Sequence, residues 1–500
     1  MTIPTRHHLV ASLATAMMLS SLPGWTQDAA KPAALRQPNI VFILADDLGY
    51  TDLACYGSKY YETPNLDKLA TQGMRFTNGY SCGPNCSPTR AALLSGQYMP
   101  RTGIYTVGAI ERFNWQSRPL RPVDNVTELP LNKILLPQTL KQAGYVTGMV
   151  GKWHVGSKPG HTPTERGFDE FFGFLGGGSD YLKPPALLRG RQPVPEKEYL
   201  TDAFGREAVA FVRKNQDKPF FLYLAFNAVH TPLESPAALT ARFKDKPAAG
   251  SHRNPTYAGM LASLDNNIGR VLATLDELHL ADNTLVIFSS DNGGVGGYQR
   301  EGINANDITD NAPLKGGKGT LYEGGIRIPY IFRWPGHVKP GTTSDLPINS
   351  VDLYPTLLEL AGAKPPAGHP LDGTSYLKLL GDADQARPDR PPLFWHFPGY
   401  LGAGGNTWRT LPGGVIRDGD WKLIEYFEDN RLELYNLKDD IGEKHNLATA
   451  NPDKAQELHR KLAQWRQELK APMPHPKTAA DLKQAKGKKG KKQQDPNNEE

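Results

Sequence analysis

The sequence predicts an α/β fold: a large, mostly parallel sheet between helices, followed by a smaller antiparallel α+β unit. Three observations carry that expectation. Four apolar, β-rich runs end abruptly in polar residues. Helical patterns that stop at glycine lie between them. After about Pro391 the pattern turns to short strands separated by tight turns. Unbroken apolar runs of strand length belong to strands buried on both faces, and alternation of strands with helices is the mark of a parallel α/β sheet.

Taken in chain order, residues 1–30 read as a signal peptide. Arg6, His7 and His8 precede the apolar run Leu9–Leu22, which is too short to span a bilayer. Cleavage is expected between Trp25 and Ala33, and no cysteine follows to carry a lipid, so the chain is expected to be periplasmic or secreted. The main unit is expected over 37–375. "NIVFILADD" ends at Asp46-Asp47, "YVTGMVGKWH" at Lys152 and His154, "FFLYLAFNAVH" at His230 and "TLVIFSSDN" at Asp291-Asn292. Between these runs, "TPNLDKLATQG" and "LLPQTLKQAG" read as helices stopped by glycine. "VDLYPTLLELAGAKPPAG" closes a last helix at Gly362. The smaller unit is expected over 376–472, with turns at Asp418-Gly419 and Glu428-Asp429-Asn430 and the amphipathic helix "PDKAQELHRKLAQWRQEL". Residues 473–500, with the Lys-rich stretch "KQAKGKKGKKQQ", are expected to be disordered. There are no internal repeats and no further segment apolar enough for a transmembrane span.

Composition narrows the function. The 500 residues carry a formal net charge of +5, which gives no overall basic character to argue for nucleic acid. Three cysteines are too few for a disulfide scaffold. In open α/β sheets ligands bind beyond the carboxyl ends of the strands, so the four polar clusters converge on one edge. Asp46, Asp47, Asp291 and Asn292 supply hard oxygen ligands that suit Ca²⁺, with Mg²⁺ second. Each pair alone could be no more than turn and capping residues. Lys152 and His154 are expected to alternate onto one face. Lys318 lies in "GGKGTLYEGG", whose glycine spacing is not that of a phosphate-binding loop. Each of these cations, and His230, could be ordinary surface or core; with Arg90 they form a set suited to a tetrahedral oxyanion.

Cys86 sits in "GYSCGPNCSPTRAALLSGQY". Ser87 as cap and Pro88 as first helical residue would put it at a helix N-terminus, where free N–H groups favour an anion. It could be half of a disulfide, a zinc ligand, a thiolate nucleophile or a chemically converted cysteine. The zinc reading lacks partner cysteines, and the thiolate phosphatase reading lacks an arginine six residues on, where position 92 is alanine.

"CSPTR" resembles the Cys-x-Pro-x-Arg signature of the sulfatase family. The resemblance extends through "NIVFILADDLGYTDLACYG", "GMVGKWHVG", "ERGFDEFFGF", "AVHTPL", "IFSSDNGG", "GGKGTLYEGGIRIP" and "ELYNLKDDIGEKHNLA". It implies an alkaline-phosphatase-like fold with a large mixed sheet and a small C-terminal sheet. It implies conversion of Cys86 to formylglycine by a maturation enzyme, with one hydroxyl of the hydrate attacking sulfur and the other later expelling sulfate. Asp46, Asp47, Asp291 and Asn292 would hold Ca²⁺ next to residue 86. Arg90 and Lys152 would orient the diol, and His154 would take its proton. Lys318 would grip the sulfate, and His230 would protonate the leaving oxygen.

The substrate is expected to be a sulfated saccharide, with an aryl sulfate as the simpler ester. A phosphonate or phosphate diester, or mere anion binding by an unmodified protein, are the alternatives. Trp395 and His396 in "PLFWHFPGY" are expected to touch the leaving group; a buried aromatic cluster between the two units is the competing reading. If Cys86 is consumed by conversion, Cys55 and Cys82 remain as the one possible intramolecular pair.

Overall fold

The computed structural model describes residues 37–296, 299–300, 303–304, 308–381, 390–404 and 407–482; the signal-like segment and the Lys-rich stretch lie outside them. Ten strands form the main sheet: β1 (Asn39–Ala45), β2 (Met74–Phe76), β3 (Val146–Lys152), β4 (Glu170–Phe174), β5 (Leu187–Arg189), β6 (Gln192–Val194), β7 (Phe220–Ala225), β8 (Thr284–Ser290), β9 (Tyr330–Arg333) and β10 (Thr342–Ser344). Their order is β10-β2-β9-β8-β1-β7-β3-β4-β5-β6. The four apolar runs are the adjacent, mutually parallel strands β8, β1, β7 and β3. Their carboxyl ends therefore open on one edge. Antiparallel β9 next to β8, and the β5–β6 hairpin at the other end, make the sheet mixed.

The principal helices are α1 (Pro64–Thr71), α2 (Cys86–Ser95), α3 (Leu136–Gln142), α4 (Leu200–Lys214), α5 (Pro255–Glu277), α6 (Leu353–Ala361) and α7 (Pro452–Glu468). Side chains alternate across a strand, and β1 shows why its run is apolar throughout. Val41, Ile43 and Ala45 join a core that includes Phe204 of α4 and Leu264 of α5. Ile40, Phe42 and Leu44 join another that includes Leu93 of α2, Leu140 of α3 and Leu357 of α6. Neither face meets water, so neither face needs a polar residue. Helix α6 ends where expected, at Gly362, whose φ of 62° lies in the left-handed region.

Beyond residue 390, β11 (Leu393–Phe397), β12 (Gly413–Asp418), β13 (Trp421–Tyr426) and β14 (Leu432–Asn436) form an antiparallel sheet in chain order. Helix α7 covers one face, with Leu458, Leu462 and Trp465 against Ile416, Leu423 and Leu434. From Gln37 on, the chain forms one compact unit.

Two expectations are corrected. Residues 473–482 are ordered: His475-Pro476 pairs antiparallel with Leu120-Arg121, and Asp481 reaches Arg121 at 3.4 Å. A short segment beside an open backbone edge gains hydrogen bonds that its polar composition does not announce. The Cys55–Cys82 pair is not formed, and all three thiols are free. Cys55 packs at the core beneath α5, whereas Cys82 is buried in the core beneath α7. Among the described residues, no helix is long and apolar enough to cross a membrane.

Candidate active site

The strand ends deliver the expected carboxylates to one buried spot. Asp46 and Asp47 follow β1, and Asp291 and Asn292 follow β8; all four are buried. Asp47 has a φ of 60°, in the left-handed region that aspartate enters more readily than most non-glycine residues. Cys86 is the first residue of α2. Asn85, in extended conformation, precedes it as the cap, and Pro88 stands at the third position. The helix thus begins two residues earlier than Pro88 alone suggests, because proline is tolerated throughout a first turn whose N–H groups have no intrahelical partner. The Cys86 thiol donates to Asp46 Oδ1 at 3.4 Å and lies 3.9 Å from Asp47 Oδ1. Ligand-type atoms of Asp46, Asp47, Cys86 and His230 all fall within 4.8 Å of one another.

Cations surround these carboxylates. Arg90 projects one turn along α2 and is fully buried. Its Nε donates to Asp291 Oδ2 at 2.9 Å, its Nη2 stands 2.8 Å from the same oxygen as an ion-pair contact, and its Nη1 donates to the Lys152 carbonyl at 2.8 Å. Lys152, the last residue of β3, donates to Asp46 Oδ2 at 2.6 Å. Lys318 donates to Asp47 Oδ2 at 2.8 Å. Asn292 Nδ2 donates to Asp47 Oδ1 at 2.8 Å. His230 Nδ1 donates to the Thr231 carbonyl at 2.5 Å, which leaves Nε2, 3.7 Å from Asp47 Oδ2, as the atom that exchanges a proton.

Burial opposes the charge of Asp47, but Lys318 and His230 outweigh it and hold the carboxyl down to about 2. Asp291 is pushed up to about 7 by burial and by Asp46, against the pull of Arg90 and Lys152. Burial, Asp291 and Asp46 push the Cys86 thiol well above its ordinary range. The helix N-terminus alone would favour a thiolate; here its pull is overcome, and the thiol stays neutral. That geometry argues against Cys86 as a thiolate nucleophile.

His154 lies past the end of β3, also with a φ of 60°, and its amide donates to the Leu175 carbonyl at 3.1 Å. The expected strand alternation from Lys152 therefore does not extend to it: Trp153 turns into the core and donates to the His161 carbonyl at 2.9 Å.

Trp395 and His396 are not in the site. Both lie on β11 and are 0% exposed. Trp395 Nε1 donates to the Ser81 carbonyl at 2.7 Å, with its ring edge-on to Tyr80. His396 Nε2 donates to the Pro472 carbonyl at 2.8 Å, and burial draws its pKa down to about 4. They seal the C-terminal sheet against the main unit, so no leaving group reaches them. Trp395→Ala is therefore expected to cost about 3–5 kcal/mol of stability, as truncation of a buried aromatic does. In His396→Ala protein, activity on an aryl sulfate and on a sulfated saccharide should fall equally or not at all. A loss confined to the saccharide would return His396 to substrate recognition.

The donor set fits a hard cation. Asn292 Oδ1 is buried with no hydrogen-bond partner, although buried oxygens are nearly always satisfied. Asp46 Oδ1 receives the weak thiol donor of Cys86 at 3.4 Å. Three carboxylates and an amide oxygen beside each other are the ligands that Ca²⁺ prefers.

The model of the sulfatase family matches residues 38–363, and that of the C-terminal region of N-sulphoglucosamine sulphohydrolase matches 317–471. A sulfatase of Formosa agariphila is 36% identical over 87% of this chain and 90% of its own. Human N-acetylgalactosamine-6-sulfatase is 33% identical over 88% of this chain and 87% of its own. The crystal structure of Ps i-CgsB in complex with k-i-k-neocarrahexaose superposes with a TM-score of 0.75 at 34% identity, covering 90% of this chain and 98% of that one.

Proposed function

The chain belongs to the sulfatase family and is a sulfuric ester hydrolase; from that premise we propose that it removes sulfate from a sulfated carbohydrate, using formylglycine made from Cys86 and a Ca²⁺ held by Asp46, Asp47, Asp291 and Asn292. The observation that carries the reading is the placement of the buried Cys86 thiol at the start of α2, beside two aspartates and among Arg90, Lys152 and Lys318. Its place at the helix start beside the carboxylates suits a precursor that is converted in the site.

The chain's own groups then divide the work. Lys152 and Arg90 hold Asp46 and Asp291 in place, and Arg90 ties α2 to both strand ends. Lys318 and His230 converge on Asp47 from outside, where a sulfate approaching residue 86 meets them. His230 Nε2 can give its proton to the leaving oxygen while Nδ1 stays bonded to a carbonyl. His154 at the same edge is the candidate base for the release step. A geminal diol at residue 86 would supply one hydroxyl for attack on sulfur and a second through which sulfate is expelled. Ca²⁺ would supply charge neutralisation and lower the pKa of the attacking hydroxyl.

Support for a carbohydrate substrate comes from the N-acetylgalactosamine-6-sulfatase relative and from the oligosaccharide in the Ps i-CgsB structure. The signal-like N-terminus supports a periplasmic or secreted enzyme, and conversion of Cys86 implies a maturation enzyme as partner. The test is sulfate release, by ion chromatography, from N-acetylgalactosamine 6-sulfate, carrageenan oligosaccharides and 4-nitrophenyl sulfate. A kcat/KM at least about tenfold higher on one of the saccharides is expected. Hydrolysis of the aryl ester alone would overturn the carbohydrate assignment.

A further inference from the structure

A second group of buried charges lies beneath the site, and sequence spacing gives no hint of it. Glu323, Lys422 and Glu443 are each 0% exposed. Lys422, on β13, donates to Glu323 Oε1 at 2.9 Å and meets Glu443 Oε1 at 2.8 Å. Glu443 Oε2 accepts the Glu323 backbone N–H at 2.7 Å. Glu323 Oε2 accepts from Tyr80 Oη at 2.7 Å and from Arg327 Nη1 at 3.1 Å, and Arg417 of β12 bonds to the same Tyr80 hydroxyl. Two buried carboxylates thus share one buried ammonium, and the C-terminal sheet supplies that ammonium. Burying such a set costs desolvation on every member, and removing one partner leaves the others uncompensated.

The set clamps the short turn Glu323–Ile326, and that turn touches three segments of the active site. The Gly325 carbonyl accepts from Gly293 N at 3.0 Å, next to Asn292. The Gly324 amide donates to the Lys315 carbonyl at 2.9 Å, three residues before Lys318. The Ile326 carbonyl accepts from Ser81 N at 2.9 Å, at the start of the segment that leads to Cys86. There is no slack in this packing: a Cβ on Gly293 would stand 1.8 Å from the Gly324 carbonyl oxygen, and one on Gly325 would stand 2.6 Å from the Gly317 oxygen.

We propose that Lys422 is a positioning residue: by holding Glu323 and Glu443 together it fixes the turn that sets the Lys318 loop and the Asn292 strand end against Cys86. The C-terminal sheet, which gives no side chain to the sulfate-binding set, acts on the reaction through this contact. The proposal rests on the reading of Lys318 as the residue that grips sulfate.

Lys422→Met tests it, with Lys318→Ala and Leu458→Ala as references. Leu458 lies on the buried face of α7, in a different apolar cluster from Ile326 of the turn. The readouts are 4-nitrophenyl sulfate kinetics and calorimetric binding of inorganic sulfate, well below each variant's Tm. Lys422→Met is expected to weaken sulfate binding and raise KM by about tenfold, with a smaller change in kcat. Leu458→Ala should lower Tm and leave both unchanged. Adding Glu443→Gln to Lys422→Met should recover part of the loss, because one of the two facing carboxylates is then neutral. If Lys422→Met does not fold, the double variant carries the test. Wild-type sulfate binding in a folded Lys422→Met or double variant would overturn the proposal, as would an equal loss in Leu458→Ala. If Lys318→Ala itself binds sulfate normally, the Lys318 reading fails instead.

Discussion

Replacing Cys86 by alanine is expected to abolish turnover, by a factor on the order of 10⁴ or more as for loss of a nucleophile, and to leave the fold intact. The thiol contributes little to the structure. Among the described residues its hydrogen bonds are weak S–H···O contacts to Asp46 and Asp47 at 3.4 and 3.9 Å, and α2 is held by Arg90 and by the apolar packing of Leu93 and Leu94. Alanine keeps the helix start and removes only the sulfur. Circular dichroism and Tm should therefore match wild type within about 1 kcal/mol of stability, while sulfate release disappears. Cys86→Ser separates two roles. A serine hydroxyl can attack sulfur but has no second hydroxyl through which to expel sulfate, so a single sulfated enzyme species should accumulate, visible by intact mass. Steady turnover by Cys86→Ser, or an unmodified Cys86 thiol in fully active enzyme from its native host, would remove formylglycine from the mechanism.

The convergence of the candidate site residues was legible in the sequence because most of them sit at ends of strands whose patterns are unmistakable. Asp46-Asp47 and Asp291-Asn292 each follow seven fully buried residues, and once the runs are recognised as parallel neighbours their ends must meet. Lys152 and His230 follow by the same rule. Lys318 is not at a strand end: its Gly-rich loop made it a candidate and the resemblance implied its role, while the bond to Asp47 gives it a physical location. Trp395 and His396 show where local reading stops. An aromatic beside a histidine after a Pro-rich stretch is compatible with a sugar platform or with an internal seam. The deciding fact is which neighbour covers β11, a property of packing between segments more than 300 residues apart, such as Trp395 and Ser81. Lys422 and Glu323 were missed for a related reason. They are 99 positions apart, and a lysine or a glutamate in isolation reads as surface. Only the fold removes water from both and makes them partners.

Removal of the cation, or of the Asp291 charge, is the other change expected to silence the enzyme. Chelator-treated protein should lose activity and regain it with Ca²⁺ in preference to Zn²⁺. The thermal signature follows from Asp291, whose pKa stands near 7 instead of the ordinary 3.8 because of burial and the neighbouring Asp46. A carboxyl raised on folding binds its proton more tightly in the native state, so chelated protein should lose stability as pH rises from about 4 to about 7. Asp47, held near 2, contributes in the opposite sense and only below about pH 4, so it does not offset this window. Glu443 is also raised to about 7 by burial and adds to the slope, but it does not touch the candidate cation site and cannot respond to the cation. The part of Tm that Ca²⁺ restores should therefore grow with pH across that range. Asp291→Asn removes the charge at nearly constant shape. It should bind no Ca²⁺, show no Ca²⁺-dependent rise in Tm, and lose activity by a factor on the order of 10³ or more. Arg90 would then lack its principal carboxylate, and an uncompensated buried charge costs several kcal/mol, about 3–5 where measured, so a lower Tm is expected as well. Full activity after exhaustive chelation, or a Ca²⁺ response in Asp291→Asn equal to that of wild type, would exclude this site as the cation's.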